Sequence, residues 1–143
     1  MICLAEVVLV SGSDRLRGEM RRDRWSRRVV SAAVEVHRAL GAGLPGHLYR
    51  LALAEELRRR GIPFEEGKTV PIRYRGLVLV TGLELDLVVG GELIVETLSV
   101  ERITDWHCAR VLTHLRLSGC RWGLLINFDA PDLERGIRRM GRA

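Results

Sequence analysis

Residues 122–128, reading WGLLINF, constrain the fold of this chain more than any other stretch. Arg121 and Asp129 bound the run, which is too short for an ordinary helix and almost entirely apolar on both faces of a strand. Such a strand belongs inside a sheet, with neighbours at both edges and cover on both sides. The chain upstream supplies that cover. Over residues 21–40, Trp25, Val29, Ala32, Val36 and Leu40 recur at three- and four-residue steps. Arg24, Arg27, Ser31, Glu35 and Arg38 fall opposite, which predicts an amphipathic helix ended by Gly41 and Gly43. Pro45 opens a second helix running to about Arg60, closed by Gly61. Residues 69–74 alternate, Arg75-Gly76 turns, and residues 77–80 are apolar. Residues 83–89 and 93–99 then read as paired strands joined around Gly90-Gly91. A third helix is expected over 103–117 and a short basic C-terminal helix over 131–140. The order predicts an α/β (α+β) fold, a mixed sheet with helices on its faces.

Composition narrows the class of function. With 143 residues, 47% of them hydrophobic, the chain is long enough for one core and too apolar to be disordered. The expected organisation is a single domain over 21–143. Residues 1–20 are read as an N-terminal extension holding an edge strand at 2–10 and a charged connector at 11–20. Three cysteines scattered at 3, 108 and 120 give no disulfide framework, and Cys108 and Cys120 read as small core residues. No apolar run approaches the ~18 residues of a membrane span. Residues 1–10 contain Glu6 and lack a basic leader, so the expected setting is the cytoplasm. The net charge of +5 is almost all arginine, Lys68 being the one lysine. Planar guanidinium groups favour phosphate-bearing partners, nucleic acid first among them.

The hairpin at 83–99 carries the candidate chemistry. Glu84 and Asp86 share one strand face, and Ile94, Glu96 and Leu98 share a face of the partner. A three-residue loop of Gly90, Gly91 and Glu92 sets Asp86 across from Glu96, at ~5 Å between Cβ atoms; a two-residue loop separates them. Like charges so placed repel, and a divalent cation such as Mg²⁺ would explain them, held by Asp86 and Glu96. Neutralisation by Arg73 or Arg75, or an exposed edge hairpin, are the structural alternatives.

Three segments, EVHRALGAGL from Glu35, residues 83–100, and GCRWGLLINF from Gly119, together resemble the GxxExxY family. These are small bacterial proteins of the PD-(D/E)XK nuclease superfamily. The resemblance runs from about Arg24 to Arg139. It implies a PD-(D/E)XK nuclease-like core with a Mg-dependent phosphodiesterase site on an Asp…Glu-x-Lys hairpin. Asp86 and Glu96 stand at the catalytic and metal-binding acids of that pattern, but Leu98 stands where the lysine belongs. The naming motif keeps Gly43 and Tyr49 while Gly46 replaces its glutamate. In the third helix a pattern like H-x-A-Q-x-L-N-Y-L-R becomes His107, Ala109, Arg110, Leu112, Thr113, His114, Leu115 and Arg116.

Polar positions are lost while packing positions survive, which implies a degenerate site that binds nucleic acid, DNA in particular, with little or no cleavage. The alternative is a divalent-metal-dependent nuclease whose missing groups come from elsewhere. Glu84 and Arg110 are the candidate substitutes, with Lys68 and Arg73 as further cations. His107, Arg110 and His114 lie at i, i+3, i+7 and are expected to form a nucleic-acid-contacting stripe over the hairpin. A homodimer or a protein partner stays open.

Overall fold

A computed structural model describes residues 23–141 of the chain. The elements in order are α1 (Ser26–Leu40), α2 (Gly46–Arg59), β1 (Phe64–Tyr74), β2 (Leu77–Val89), β3 (Leu93–Leu98), α3 (Asp105–Ser118), β4 (Trp122–Asn127), a 3₁₀ turn (Leu133–Gly136) and β5 (Ile137–Gly141). The edge strand expected at 2–10 and the connector at 11–20 lie outside the described residues.

Among the described residues the sheet has five strands in the order β1-β2-β3-β4-β5. Only the β3–β4 pair is parallel, and α3 makes the crossover that parallel strands need. The run that reads WGLLINF does lie inside the sheet, and every residue of β4 is buried. One core packs α1 and α2 on the sheet through Val29, Ala32, Tyr49, Leu53, Leu57, Leu87, Val95, Leu124 and Ile126. The other packs α3 on the opposite face through Cys108, Val111, Leu115, Ile94, Leu125 and Met140. The result is a helix–sheet–helix sandwich, the mixed sheet with flanking helices that the element order predicts.

Two expectations are corrected. Residues 77–80 and 83–89 are not separate strands but one, β2, which with β1 forms a long hairpin closed at Arg75-Gly76. Irregular register between Val70 and Arg73 absorbs the break that Thr81-Gly82 suggests in the sequence. The C-terminal helix is absent as well: Asp132 caps a single 3₁₀ turn, its Oδ1 accepting the Glu134 N–H at 3.2 Å, and β5 follows. A buried β4 has ladder donors and acceptors on both edges, and β5 satisfies the second edge antiparallel. That demand outweighs the helical spacing of the basic residues.

The turn between β2 and β3 sets the register that matters. Gly90 and Gly91 both have positive φ, and a Cβ on Gly90 would sit 2.1 Å from the Trp25 indole nitrogen. Glu92 completes a three-residue loop, giving Val89↔Leu93, Val88↔Ile94 and Leu87↔Val95. Continued by one residue, that register sets Asp86 opposite Glu96.

Candidate functional site

Regular pairing of β2 with β3 stops at Leu87↔Val95, so the strands part at the two acids. Asp86 bridges the gap. Its Oδ2 accepts the Thr97 N–H at 3.3 Å, a side-chain carboxylate doing what a backbone carbonyl would do in an unbroken ladder. The neighbouring strand is kinked at the same level. Gly67, level with Asp86 between the pairs Glu66↔Leu87 and Lys68↔Leu85, has a φ of +65. The kink shows in the packing, because Leu85 joins the α3-side core while Leu87 joins the α1/α2-side core. Alternate residues of a regular strand would share a face.

The opening so formed is a cavity of about 240 Å³, lined by Gly46, His47 and Arg50 of α2, by Asp86, by Glu96, Thr97, Leu98 and Ser99, and by Arg110 of α3. Helices on opposite faces of the sheet thus contribute to one site where the strands part. Two anchors fix its walls. Tyr49 is fully buried and stacked on Phe128 at 4.6 Å between ring centroids, and its hydroxyl donates to the Gly41 carbonyl at 2.5 Å and accepts the Leu44 N–H at 3.1 Å. That ties the α1–α2 connection down and sets the first turn of α2. Asn127 pins the segment after β3, accepting the Val100 N–H at 3.0 Å and donating to the Val100 carbonyl at 2.8 Å.

The two acids sit in different surroundings. Asp86 is part-buried, and Arg50 Nη1 lies 3.7 Å from its Oδ1. Burial pushes the Asp86 carboxyl above its usual range and the Glu96 charge adds to this, against the lowering effect of the Thr97 N–H and of Arg50 and Arg110. Glu96 is 3% exposed and bonded through Oε1 to Nδ1 of His114, itself 3% exposed. A buried carboxylate is costly unless it is hydrogen-bonded, and His114 meets that need.

The stripe expected on α3 is therefore divided. His114 turns inward to Glu96 and presents nothing to a surface ligand. His107 is half-buried and accepts the Thr104 N–H on Nδ1 at 2.9 Å, closing the start of α3. Arg110 is exposed and lines the cavity, and its guanidinium lies 5.9 Å from the ring of Trp106, which is 65% exposed. Of the other substitutes, Glu84 is exposed and lies over Gly67, Lys68 pairs with Glu65 at 3.7 Å, and Arg73 is exposed on the outer hairpin. Arg50, not singled out from the sequence, is at the site. Its position one helical turn after Gly46 was the available signal.

As arranged, the donor set does not fit a divalent ion. Among the described residues no three His, Cys, Asp or Glu side chains gather as ligands. Asp86 faces a guanidinium and a backbone N–H, and Glu96 faces an imidazole. Leu98 and Gly46 bring no ligating atom from their side chains to the cavity they line.

A family model described as the PD-(D/E)XK nuclease superfamily matches residues 23–140, which spans both helical layers and all five strands. No match was found among curated proteins or among solved structures. Among the described residues, no helix is long and apolar enough to cross a membrane.

Proposed function

The chain belongs to the PD-(D/E)XK nuclease superfamily, and from that membership we propose a nuclease-fold protein with a degenerate active site. It binds nucleic acid, DNA in the first instance, with little or no phosphodiester hydrolysis. Within the superfamily we place it in the GxxExxY group, as a single domain over 21–143. The reading is carried by Leu98, which stands in the cavity wall beside Asp86 and Glu96 where that group has the lysine of Glu-x-Lys.

In the superfamily mechanism two carboxylates hold a metal that acidifies a bound water. The lysine orients that water and stabilises charge growing on the phosphoryl oxygens. Leu98 has no donor for either task, and losing one such preorganised group costs on the order of 10²–10³ in rate. Gly46 removes a second polar group from the same cavity. Asp86 and Glu96 are then the remnant of the catalytic pair, and Mg²⁺ is held weakly or not at all. Of His107, Arg110 and His114, Arg110 is the one left to contact nucleic acid, because His107 and His114 are committed to bonds within the protein.

The test is restorative. A Cβ at Gly46 would stand 3.5 Å from the nearest backbone atoms, an ordinary contact, so a side chain can branch there without backbone change. Leu98→Lys combined with Gly46→Glu, in a chain that also carries Arg50→Met to clear the cation facing Asp86, is expected to raise Mg²⁺-dependent DNA cleavage above that of the wild type, read on a labelled duplex. Wild-type cleavage abolished by Glu96→Ala would instead support the metal-dependent nuclease, with Arg110 the substitute at the cavity. Wild-type cleavage untouched by Glu96→Ala would place the active site elsewhere.

A further inference from the structure

We infer that Arg50 is the resident cation of this site: its guanidinium, set between Asp86 and Glu66, takes the electrostatic place of a divalent ion and offers its N–H groups to a phosphodiester. The inference rests on the reading above and adds a ligand chemistry to it. Arg50 and Gly46 are four apart on α2, so both side chains address the cavity. Arg50 Nη1 is 3.7 Å from Asp86 Oδ1, and its Nε is 3.8 Å from Glu66 Oε1. Both distances exceed a hydrogen bond, and Nε is buried with no hydrogen-bond partner. The acids thus hold the guanidinium by charge, Nε is closed to solvent, and the terminal Nη groups donate no hydrogen bond to a described residue. Phosphate oxygens meet such a fork bidentately, and the charge-assisted bonds are the strong kind.

The same placement resists a metal. A divalent cation approaching Asp86 would meet the fixed positive charge of Arg50 and, across the cavity, that of Arg110. Neutral or acidic side chains in those two places would invite the ion. The two arginines come from opposite faces of the sheet, so a phosphodiester seated between them would be gripped from both sides, with Asp86 orienting one of the two cations.

Titration of the full chain with Mn²⁺ alone, followed by calorimetry, separates the alternatives. The wild type is expected to show no saturable uptake. Arg50→Met is expected to gain a saturable Mn²⁺ site, and the double variant Arg50→Met/Asp86→Asn to lose it again. Affinity of the wild type for a labelled oligonucleotide should be unchanged by EDTA and fall about tenfold in Arg50→Met, one charge-assisted contact. Arg50→Lys, which keeps the charge, should still exclude Mn²⁺. Saturable Mn²⁺ uptake by the wild type, or none by an Arg50→Met variant with a native circular dichroism spectrum, overturns the inference. If the wild type binds no oligonucleotide at low salt, the nucleic-acid reading fails by itself, and the Mn²⁺ comparison still decides whether Arg50 stands in for the metal.

Discussion

At the scale of single residues, the site is a set of charges whose cost is offset locally. Asp86 ionises against burial and against Glu96, so its folded-state pKa lies above the usual carboxylate value of 3.8. A raised acid binds more protons folded than unfolded, so stability falls as pH rises from 3.8 through the folded value, and the full penalty stands above it. Asp86→Asn keeps an oxygen for the Thr97 N–H and removes the charge. It should raise the melting temperature at pH 7, with the gain vanishing below pH 3.8, in melts taken across the pH range. Glu96 and His114 are the opposite case, a pair that is costly to separate. His114→Leu strands a buried carboxylate and should cost about 3–5 kcal/mol in urea unfolding, whereas Glu96→Leu/His114→Leu should recover much of the loss. If the single and double variants unfold alike, Glu96 has other support. Tyr49 holds the α1–α2 connection through a single hydroxyl. Tyr49→Phe keeps the stack on Phe128 but leaves the Leu44 N–H and Gly41 carbonyl without their hydroxyl, an expected loss of about 1–3 kcal/mol.

Among the elements, those with a strong local period were legible in the sequence, and those set by a neighbour were not. Helix α1 could be read from apolar spacing, α2 from Pro45 and Gly61, β4 from its unbroken apolar run, and the β2–β3 turn from Gly90-Gly91. The inner half of β1 was missed, because residues 64–68 are mixed in polarity and are strand only through pairing with β2. β5 was read as a helix for the same kind of reason. Ile137 and Met140 are spaced as on a helix, and only the open edge of β4 makes them strand. Chains ending after Gly136 should therefore leave that edge unpaired and uncover the core around Met140. The expected result is loss of cooperative unfolding with aggregation, seen by calorimetry and light scattering. A truncated chain that melts like the full one would mean that β5 adds nothing to the sheet. The charged stripe on α3 shows the converse limit. Spacing alone cannot tell which of His107, Arg110 and His114 turns inward once β3 offers a buried carboxylate.

Across the whole molecule, the parted strands let both helical layers reach one cavity, and this is why one charged group of the candidate site, Arg50, was hidden in the sequence. The facing of Asp86 and Glu96 follows from loop length, which is local, and Leu98 is marked by the family resemblance. Arg50 is remote from them in sequence and meets Asp86 only because α2 packs over the sheet where β2 and β3 separate. On the proposed function, the chain's net charge of +5 would give long-range attraction to a polyanion, while Arg50 and Arg110 would supply the close contacts. These contributions separate in salt. Each phosphate neutralised adds about −0.9 to the slope of log K against log salt on a duplex. Replacing Arg110 by alanine should therefore flatten that slope by about 1, and replacing the outer-hairpin Arg73 should leave it unchanged. Trp106 offers the readout, since it is 65% exposed beside Arg110 whereas Trp25 and Trp122 are buried. Its fluorescence should change on binding in the wild type and in Arg73→Ala. A slope that Arg73→Ala flattens and Arg110→Ala leaves alone would move the nucleic-acid contact from the cavity to the outer hairpin.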